Sequence, residues 1–214
     1  MSEAATPAEH LDNSVRDRLL QAAVDLFAEK GYAATSVREI VAAAGVTKPV
    51  LYYYFQSKEG IYLEIMTRAS NDLQANLEAI SDRASSVWER LLKLADTTYN
   101  AYSENIKTMK IMHAMMFGPP QGAPFVDFNA VYWAFHQAVE AMVKEGMHNG
   151  EMLPGDPKNV TWVLMGTVHL AMEMALCQPE KALDRQGLRE VLEVNHRAFW
   201  ARGLANQREN RNDD

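Results

Sequence analysis

Residues 35–58 read TSVREIVAAAGVTKPVLYYYFQSK, and this stretch decides the fold. Ser36 and Glu39 stand three residues apart, which is the spacing of a capping box at the start of a helix. The helix is therefore expected to begin at Val37. Small alanines follow, and Gly45 stands where a left-handed glycine would end the helix. The first half of the stretch predicts one short helix with a defined beginning and end.

A second helix is predicted directly after this turn. Thr47 is placed as its N-cap, and Lys48 would be its first residue. Pro49 is tolerated in the first turn, because no intrahelical hydrogen-bond donor is lost there. Two short helices joined by a glycine turn are typical of a helix-turn-helix motif, whose second helix enters the major groove of DNA.

The second helix carries an aromatic cluster that favours a binding surface. Leu51 and Phe55 are spaced i, i+4 and can face inward together. The alternative is that Tyr52, Tyr53 and Tyr54 are also buried in a core. Three consecutive positions cover about 200° of a helix, so they cannot share one buried face. We therefore expect the tyrosines to point largely outward, where they suit phosphate and base-edge contacts.

These residues resemble the DNA-binding signature of the TetR family of bacterial transcriptional regulators. The matching segments are TSVREI at 35–40, AGVTKP at 44–49, LYYYF at 51–55 and SKE at 57–59. The caps, the turn glycine, the aromatic cluster and the lysine occur in order without a gap. The resemblance extends over residues 16–63 and implies a helix-turn-helix domain that binds double-stranded operator DNA.

Two positions depart from the common pattern and leave the operator sequence open. Tyr54 stands where many relatives have histidine, and Pro49 stands where many have glycine or alanine. Lys48 is placed to reach a base edge or a phosphate, whereas Tyr53 and Lys58 are expected to hold phosphate. The complete set of expected DNA-contacting residues is Thr35, Ser36, Thr47, Lys48, Pro49, Tyr52, Tyr53 and Lys58.

The charge of the chain is unusual for a DNA-binding protein. The formal net charge is −7. Residues 14–62 contain six Lys or Arg against five Asp or Glu, a net of +1, which leaves −8 for the rest of the chain. A nearly neutral DNA-binding region is expected to show a modest dependence on salt and to rely on dimerisation for affinity.

Composition predicts a cytoplasmic globular protein. The chain has 214 residues, of which 48% are hydrophobic, so it can build a sizeable core. No run approaches eighteen apolar residues and MSEAATPAEH lacks a leader pattern, so we expect neither a membrane segment nor export. The single cysteine, Cys177, excludes an internal disulfide, and we expect a small buried side chain there rather than a redox group.

Hydrophobic periodicity predicts an all-α chain with a small N-terminal and a larger C-terminal domain. We expect a disordered tail over 1–13, the helix-turn-helix domain over 14–57, a helical effector-binding and dimerisation domain over 58–205, and a polar tail over 206–214. Besides the two motif helices, the patterns predict helices at about 14–30, 58–80, 86–103, 104–117, 125–148, 157–176 and 188–205.

The C-terminal domain is rich in methionine and aromatic residues. The resemblance implies a pocket for a small effector that releases DNA, and this composition permits one; a filled core is the alternative. Because no Lys or Arg lies in the densest apolar runs, a neutral or cationic hydrophobic effector is expected. The expected pocket residues are Tyr99, Tyr102, Met109, Met112, His113, Met116, Phe117, Phe128, Tyr132, Trp133, His136 and Trp162.

The last two predicted helices are apolar on more than one face. They either fill the core or form a homodimer interface, and we expect the interface because such helices form a four-helix bundle across a two-fold axis in the family that the chain resembles. The expected interface residues are Trp162, Met165, His169, Met172, Val191, Val194 and Phe199.

An enzyme is the remaining alternative. His136 with Glu140, and His169 with Glu173, are spaced i, i+4 like metal ligands in a helical bundle, but surface hydrogen bonds explain both pairs as well. The sequence lacks the carboxylate motifs of a bundle metal site, so we expect no metal, no cofactor and no catalysis. The expected function is a ligand-responsive regulator, a repressor on a pseudo-palindromic operator. A constitutive DNA-binding protein and a metal-dependent bundle enzyme are the alternatives.

Overall fold

The computed structural model describes residues 7–78 and 85–200, with side chains from residue 14 onward, and every regular element in those ranges is helical. The predicted all-α fold class is therefore confirmed. The helices are α1 (Pro7–Ala34), α2 (Val37–Ala44), α3 (Lys48–Phe55), α4 (Lys58–Glu78), α5 (Val87–Glu104), α6 (Ile106–Phe117), α7 (Asn129–Asn149), α8 (Pro157–Cys177) and α9 (Arg185–Phe199), with a 3₁₀ turn at Pro179–Lys181.

Three helices begin three or more residues away from the position expected from the sequence. α1 already begins at Pro7, within the segment 1–13 that was expected to be a tail. α7 begins at Asn129 rather than at 125. α9 begins three residues earlier than expected because the carboxylate of Asp184 caps it, accepting from the Gly187 amide at 2.8 Å. The predicted tail at 206–214 lies outside the described residues.

The chain forms two compact units. The first contains residues up to 72 and again 105–127, and the second contains 73–104 and the residues from 128 onward. α6 belongs to the first unit because it packs against α1, and α4 contributes to both units. The boundary at 57/58 expected from the sequence does not coincide with this division.

The helix-turn-helix region of the first unit has its own apolar core. α1 packs against α2, and α2 against α3. Fully burying such a side chain contributes about 1.5–3 kcal/mol. The core therefore holds α3 rigidly at the surface of the unit. Its side chains, none more than 2% exposed, are Leu19, Ala23, Phe27, Ile40, Leu51, Ile61 and Met66.

The second unit is a helical bundle. α5, α7, α8 and α9 pack against one another and bury most of their large aliphatic side chains. The residue after α9, Trp200, pairs with Met152 after α7 in an isolated backbone bridge. The main cluster comprises Val87, Leu91, Leu94, Phe135, Val139, Met142, Val143, Met152, Val160, Leu164 and Trp200.

Candidate nucleic-acid interface

α2 begins with the predicted capping box. The Ser36 amide donates to Glu39 Oε2 at 2.9 Å, and the Glu39 amide donates to Ser36 Oγ at 3.3 Å. The helix ends at Gly45, whose φ of 66° is left-handed, and the Val46 amide closes the turn by donating to the Val41 carbonyl at 2.9 Å. Local hydrogen bonds therefore set where α2 ends and how the chain turns into α3.

The start of α3 leaves a hydroxyl group at the surface. Thr47 is the N-cap by its backbone, but its side chain makes no capping hydrogen bond, and Pro49 occupies the first turn without an amide donor. Thr47 is exposed, and so is Lys48. A hydroxyl, an ammonium and the positive end of the helix dipole therefore lie together at one exposed helix start, which is an arrangement suited to phosphate.

The rest of α3 separates into an anchored face and an open face. Leu51 is 0% exposed and Phe55 is 6% exposed, whereas Tyr52 is 48% and Tyr53 is 76% exposed. Tyr53 packs edge to face on Tyr54 with ring centroids 4.9 Å apart. The structure thus places large aromatic side chains on the solvent side of a helix whose opposite side is fixed in the core.

Two of the expected DNA contacts, Thr35 and Lys58, need correction. Thr35 is 2% exposed, and its hydroxyl donates to the carbonyls of Leu26 (3.2 Å) and Gly31 (2.9 Å). Lys58 Nζ donates to the carbonyls of Tyr32 (2.8 Å) and Thr35 (2.9 Å), and lies 4.1 Å from the Tyr32 ring centroid. Both side chains hold the turn between α1 and α2, so their polar atoms are engaged inside the unit. Ser36 remains exposed.

The cations of the first unit fall into engaged and open groups. Arg16 pairs with Glu64 at 2.7 Å, and Lys30 pairs with Glu39 at 2.9 Å. Arg38 is exposed on α2 and forms no ion pair with any described residue. Arg38 was missed as a candidate, although its position outside the apolar stripe of α2 signals an outward side chain. Like Lys48, Arg38 is an exposed cation without an ion pair among the described residues.

Ion pairing shifts the pKa of Glu39. The Lys30 ammonium hydrogen-bonds the carboxylate, and the Ser36 amide and hydroxyl add to the effect, so the pKa of Glu39 falls from 4.5 to about 2. The cap is therefore charged at neutral pH. Burial raises the pKa of Tyr32 and of Tyr62, which keeps both phenols protonated.

The expected pocket residues divide between the two units. Five of them, Met109, Met112, His113, Met116 and Phe117, lie on α6 in the first unit. Met109 and Met112 are buried, whereas Met116 and Phe117 are 44% and 64% exposed. The other seven belong to the second unit.

An aromatic cluster in the second unit surrounds His136. The ring centroids of Trp133 and Trp162 lie 5.2 Å and 5.4 Å from the His136 ring, and Tyr132 meets Trp133 edge to face. His136 is 6% exposed and its Nε2 has no hydrogen-bond partner among the described residues, whereas both tryptophans are about half exposed. Three expected pocket residues, Trp133, His136 and Trp162, therefore lie together, and the polar atom among them is the buried Nε2 of His136.

The histidine and carboxylate pairs considered as metal ligands differ in their surroundings. His136 Nδ1 lies 3.9 Å from Glu140, which itself accepts from Lys144 at 2.6 Å. The Lys144 bond lowers the pKa of Glu140. His169 is exposed on α8. The Glu140 carboxylate is thus already part of an ion pair along α7.

Two expected pocket residues, Tyr99 and Phe128, are core residues. Tyr99 is buried, and its hydroxyl donates to the Leu183 carbonyl at 2.5 Å. Phe128 is 5% exposed. Burial, followed by the nearby charge of Glu173, raises the pKa of Tyr102. Tyr99 therefore ties α5 to the segment before α9.

A buried cation in the second unit was also missed. Arg90 is 6% exposed and lies next to the apolar cluster on α5. One terminal nitrogen is 2.7 Å from Glu145 Oε1, within ion-pair distance but outside hydrogen-bond geometry, and Nε has no hydrogen-bond partner among the described residues. Arg90 lies outside the densest apolar runs, which contain no Lys or Arg. Its sequence signal is weak, because one arginine in an amphipathic helix usually faces solvent.

α8 and α9 share an exposed apolar face, which we call the α8/α9 face. It contains Val163 (44% exposed), Leu170 (62%), Val191 (38%) and Val194 (54%), with the open backbone of Gly166 between them. The two helices are joined by a hydrogen bond from Asn195 to Thr167 at 2.9 Å. Several interface residues expected from sequence lie here or beside it.

Three of the expected interface residues pack within the chain itself. Met165 and Phe199 are half-buried against the main cluster, and Met172 packs on the smaller cluster around Leu188. These three therefore contribute to the fold of the second unit. The assignment of these three residues to the interface stays a prediction.

α8 is long and apolar enough to cross a membrane, judged by length and composition alone. It is the one such helix within residues 7–78 and 85–200. Thr161, Thr167, His169 and Glu173 interrupt its apolar residues, so the sequence still has no unbroken apolar run of that length. Only 28% of its apolar window is buried. α8 therefore carries more apolar surface than the fold of one chain covers.

Comparison with known proteins places the helix-turn-helix region in a known class. The family model for bacterial regulatory proteins of the tetR family matches residues 19–65. The HTH-type transcriptional repressor KstR2 of Mycolicibacterium smegmatis is 38% identical over 88 residues, which are 41% of this chain and 43% of that protein. The HTH-type transcriptional regulator QacR of Staphylococcus aureus is 27% identical over 169 residues, 73% of this chain and 83% of QacR.

The fold has a solved counterpart. The structure of the ketosteroid transcriptional regulator KstR2 of Mycobacterium tuberculosis superposes with a TM-score of 0.68 at 22% identity, covering 87% of this chain and 95% of that one. The sequence matches cover less of each protein than this structural match does. This chain spans about half the length of the first curated relatives that it matches.

Proposed function

We propose that this chain, which belongs to the TetR family of bacterial regulatory proteins, is a dimeric transcriptional regulator that binds double-stranded operator DNA through α3. In this proposal it represses transcription from a pseudo-palindromic operator in the cytoplasm, and a small hydrophobic effector releases it. Repression is supported by the name of the similar KstR2 protein, a transcriptional repressor.

One observation carries the proposal, which is the opposite exposure of neighbouring side chains on α3. Leu51 is fully buried while Tyr53 is 76% exposed, with Lys48 exposed at the start of the same helix. Large aromatic side chains are costly to expose to water unless they meet a partner. Phenol and ammonium groups at a helix start are donors that suit phosphates and base edges in a major groove.

The charge of this unit limits how DNA is bound. Arg16 and Lys30 are paired within the protein. The exposed cations of α1 to α3 without an ion pair among the described residues are Arg18, Arg38 and Lys48. Few phosphate contacts per chain imply a shallow dependence of affinity on salt. In this proposal two copies bind together to raise the affinity, which places half-sites about one helical turn of DNA apart, about 34–36 Å, or a multiple of it.

The α8/α9 face supports a homodimer. Its side chains are apolar and lie on two helices packed side by side, and Gly166 permits a second backbone to approach closely. A two-fold axis would pair this surface with itself and form a four-helix bundle. The apolar excess of α8 is explained by this partner without a membrane.

The aromatic cluster around His136 supports an effector-binding function of the second unit. Half-exposed tryptophans beside a buried imidazole offer apolar contact and one polar atom that lacks a partner. A constitutive regulator without an effector is the competing outcome.

The proposed DNA binding is tested with duplexes selected by the purified wild-type protein from a randomised pool. Fluorescence anisotropy would compare wild type with Tyr53→Ala, whose truncated side chain should weaken binding by about tenfold or more, because stacking and phosphate contacts are worth 1–3 kcal/mol each. Gel filtration of the variant should still give a dimer. A wild-type protein that enriches no sequence, or a variant with unchanged affinity, would overturn the assignment of α3.

A further inference from the structure

We infer that Gln121 is a positioning residue for DNA binding, because its side-chain amide oxygen holds the peptide at which α1 breaks before α2 begins. This inference rests on the proposed function. Gln121 lies in the segment after α6, and both belong to the first unit. No motif in the sequence singles it out.

The break itself requires glycine. Gly31 has φ 78° and ψ 168°, a region that is essentially restricted to glycine. A Cβ added to Gly31 would collide with the side-chain amide of Gln121. The space beside the break is therefore filled by a side chain that is 90 residues away in sequence.

Gln121 makes a specific hydrogen bond at this break. The Tyr32 amide donates to Gln121 Oε1 at 2.9 Å. The Tyr32 carbonyl accepts from Lys58, and its ring packs on Tyr62 with centroids 5.0 Å apart. Tyr32 is thus held at its amide, its carbonyl and its ring, and each hold comes from outside α1. Thr35 and the N-cap of α2 follow within four residues, so the direction in which α2 leaves depends on this peptide.

The segment that carries Gln121 is stiff. The two residues before Gln121 are Pro119 and Pro120, whose rings fix their own φ angles. Gly122 turns the chain immediately afterwards with φ 65°. The backbone that leads to Gln121 is therefore restricted, which favours a persistent hydrogen bond.

A second contact between α6 and α1 is weaker. Lys107 pairs with Asp25 at 2.8 Å, but the two side chains are 55% and 44% exposed. Exposed ion pairs contribute little and are screened by salt. Gln121 therefore adds a specific hydrogen bond to the packing of α6 against α1, and it joins the α6 segment directly to the backbone leading into α2.

The test compares two substitutions of similar size. Gln121→Met removes the acceptor, whereas Gln121→Glu keeps an oxygen in its place; Gln186→Met is the control at an exposed position of α9. We expect Gln121→Met to bind the selected duplex about fivefold more weakly per subunit, the effect of one lost hydrogen bond, while Gln121→Glu and Gln186→Met bind like wild type. Hydrogen exchange at the Tyr32 amide should accelerate only in Gln121→Met.

Rescue by glutamate with loss of Tyr32 protection in the methionine variant would support the inference, since a merely space-filling role would not distinguish the two. Unchanged affinity of Gln121→Met, equal weakening in both variants, or unaltered exchange at Tyr32 would overturn it. A wild-type protein that selects no DNA would instead overturn the proposed function, and the exchange measurement would still decide whether Gln121 holds the peptide.

Discussion

Two lysines ten residues apart, Lys48 and Lys58, have opposite surroundings. Lys48 is exposed at the start of α3. Lys58 donates to two backbone carbonyls and covers the Tyr32 ring. Sequence alone treats both as cations beside a DNA-binding helix. The difference arises because the long side chain of Lys58 finds acceptors at the end of α1, more than twenty residues earlier.

This contrast predicts separate effects on stability and on DNA binding. Lys58→Met should lower the free energy of unfolding by about 1–3 kcal/mol, because two buried carbonyl acceptors lose a charged donor. Lys48→Met, the matched control, should leave stability within about 0.5 kcal/mol of wild type but weaken binding to the selected duplex. Urea unfolding and fluorescence anisotropy separate the two. Equal loss of stability in both variants would contradict the assignment.

The Glu39 cap predicts a pH dependence. The pKa of Glu39 is about 2 in the folded protein against an ordinary 4.5, so the folded chain holds fewer protons than the unfolded chain between these values. The stability that Glu39 adds is complete above about pH 4.5 and is lost as pH falls towards 2. Melting temperatures of wild type and Glu39→Gln should therefore converge on acidification. Glu29→Gln, an exposed change on α1, should show no such convergence.

At the scale of the element, α2 and α3 begin and end where their caps predict. Ser36, Glu39 and Gly45 act through bonds that span only a few residues. The start of α9 is harder to predict, because its capping residue, Asp184, lies in a segment without a regular apolar repeat. Short-range chemistry thus locates helix ends well where the capping residues stand directly beside the apolar pattern.

The turn between α2 and α3 supplies a prediction at this scale. Gly45 has φ 66°, and an added Cβ would meet nothing within 4 Å, so only backbone strain opposes a side chain. Gly45→Ala should cost about 1–2 kcal/mol, and Gly45→Asn should cost less because asparagine tolerates the left-handed region. Urea unfolding curves measure both. An alanine variant as stable as wild type would show that the turn does not need a left-handed residue.

At the scale of the whole molecule, the apolar surface of α8 exceeds what one chain covers. The α8/α9 face therefore predicts that a charge placed there would prevent self-association. Leu170 is 62% exposed on this face, and Leu153 is 45% exposed elsewhere in the second unit. Leu170→Glu should yield monomers in sedimentation equilibrium, because a carboxylate buried without a partner is costly. Leu153→Glu should remain dimeric, and a dimeric Leu170→Glu would place the interface elsewhere.

The division into two units was only partly readable from sequence. Periodicity predicts the helices, but it does not indicate which of them pack together. α6 follows α5 directly in sequence, yet it packs on α1 in the first unit. The twelve expected pocket residues are consequently split between units, because an apolar helix pattern specifies a buried face without specifying its partner.

The sequence by itself determined the helical class, the resemblance to the tetR family over the helix-turn-helix region and the two motif helices. Capping, left-handed glycine and helical period depend on neighbouring residues. Tertiary structure alone decided the roles of Thr35, Lys58 and Gln121. Thr35 and Lys58 turn inward to backbone carbonyls, and Gln121 reaches the Tyr32 amide across 89 residues. The direction of a side chain and a distant partner depend on how helices pack, and no local pattern encodes that packing.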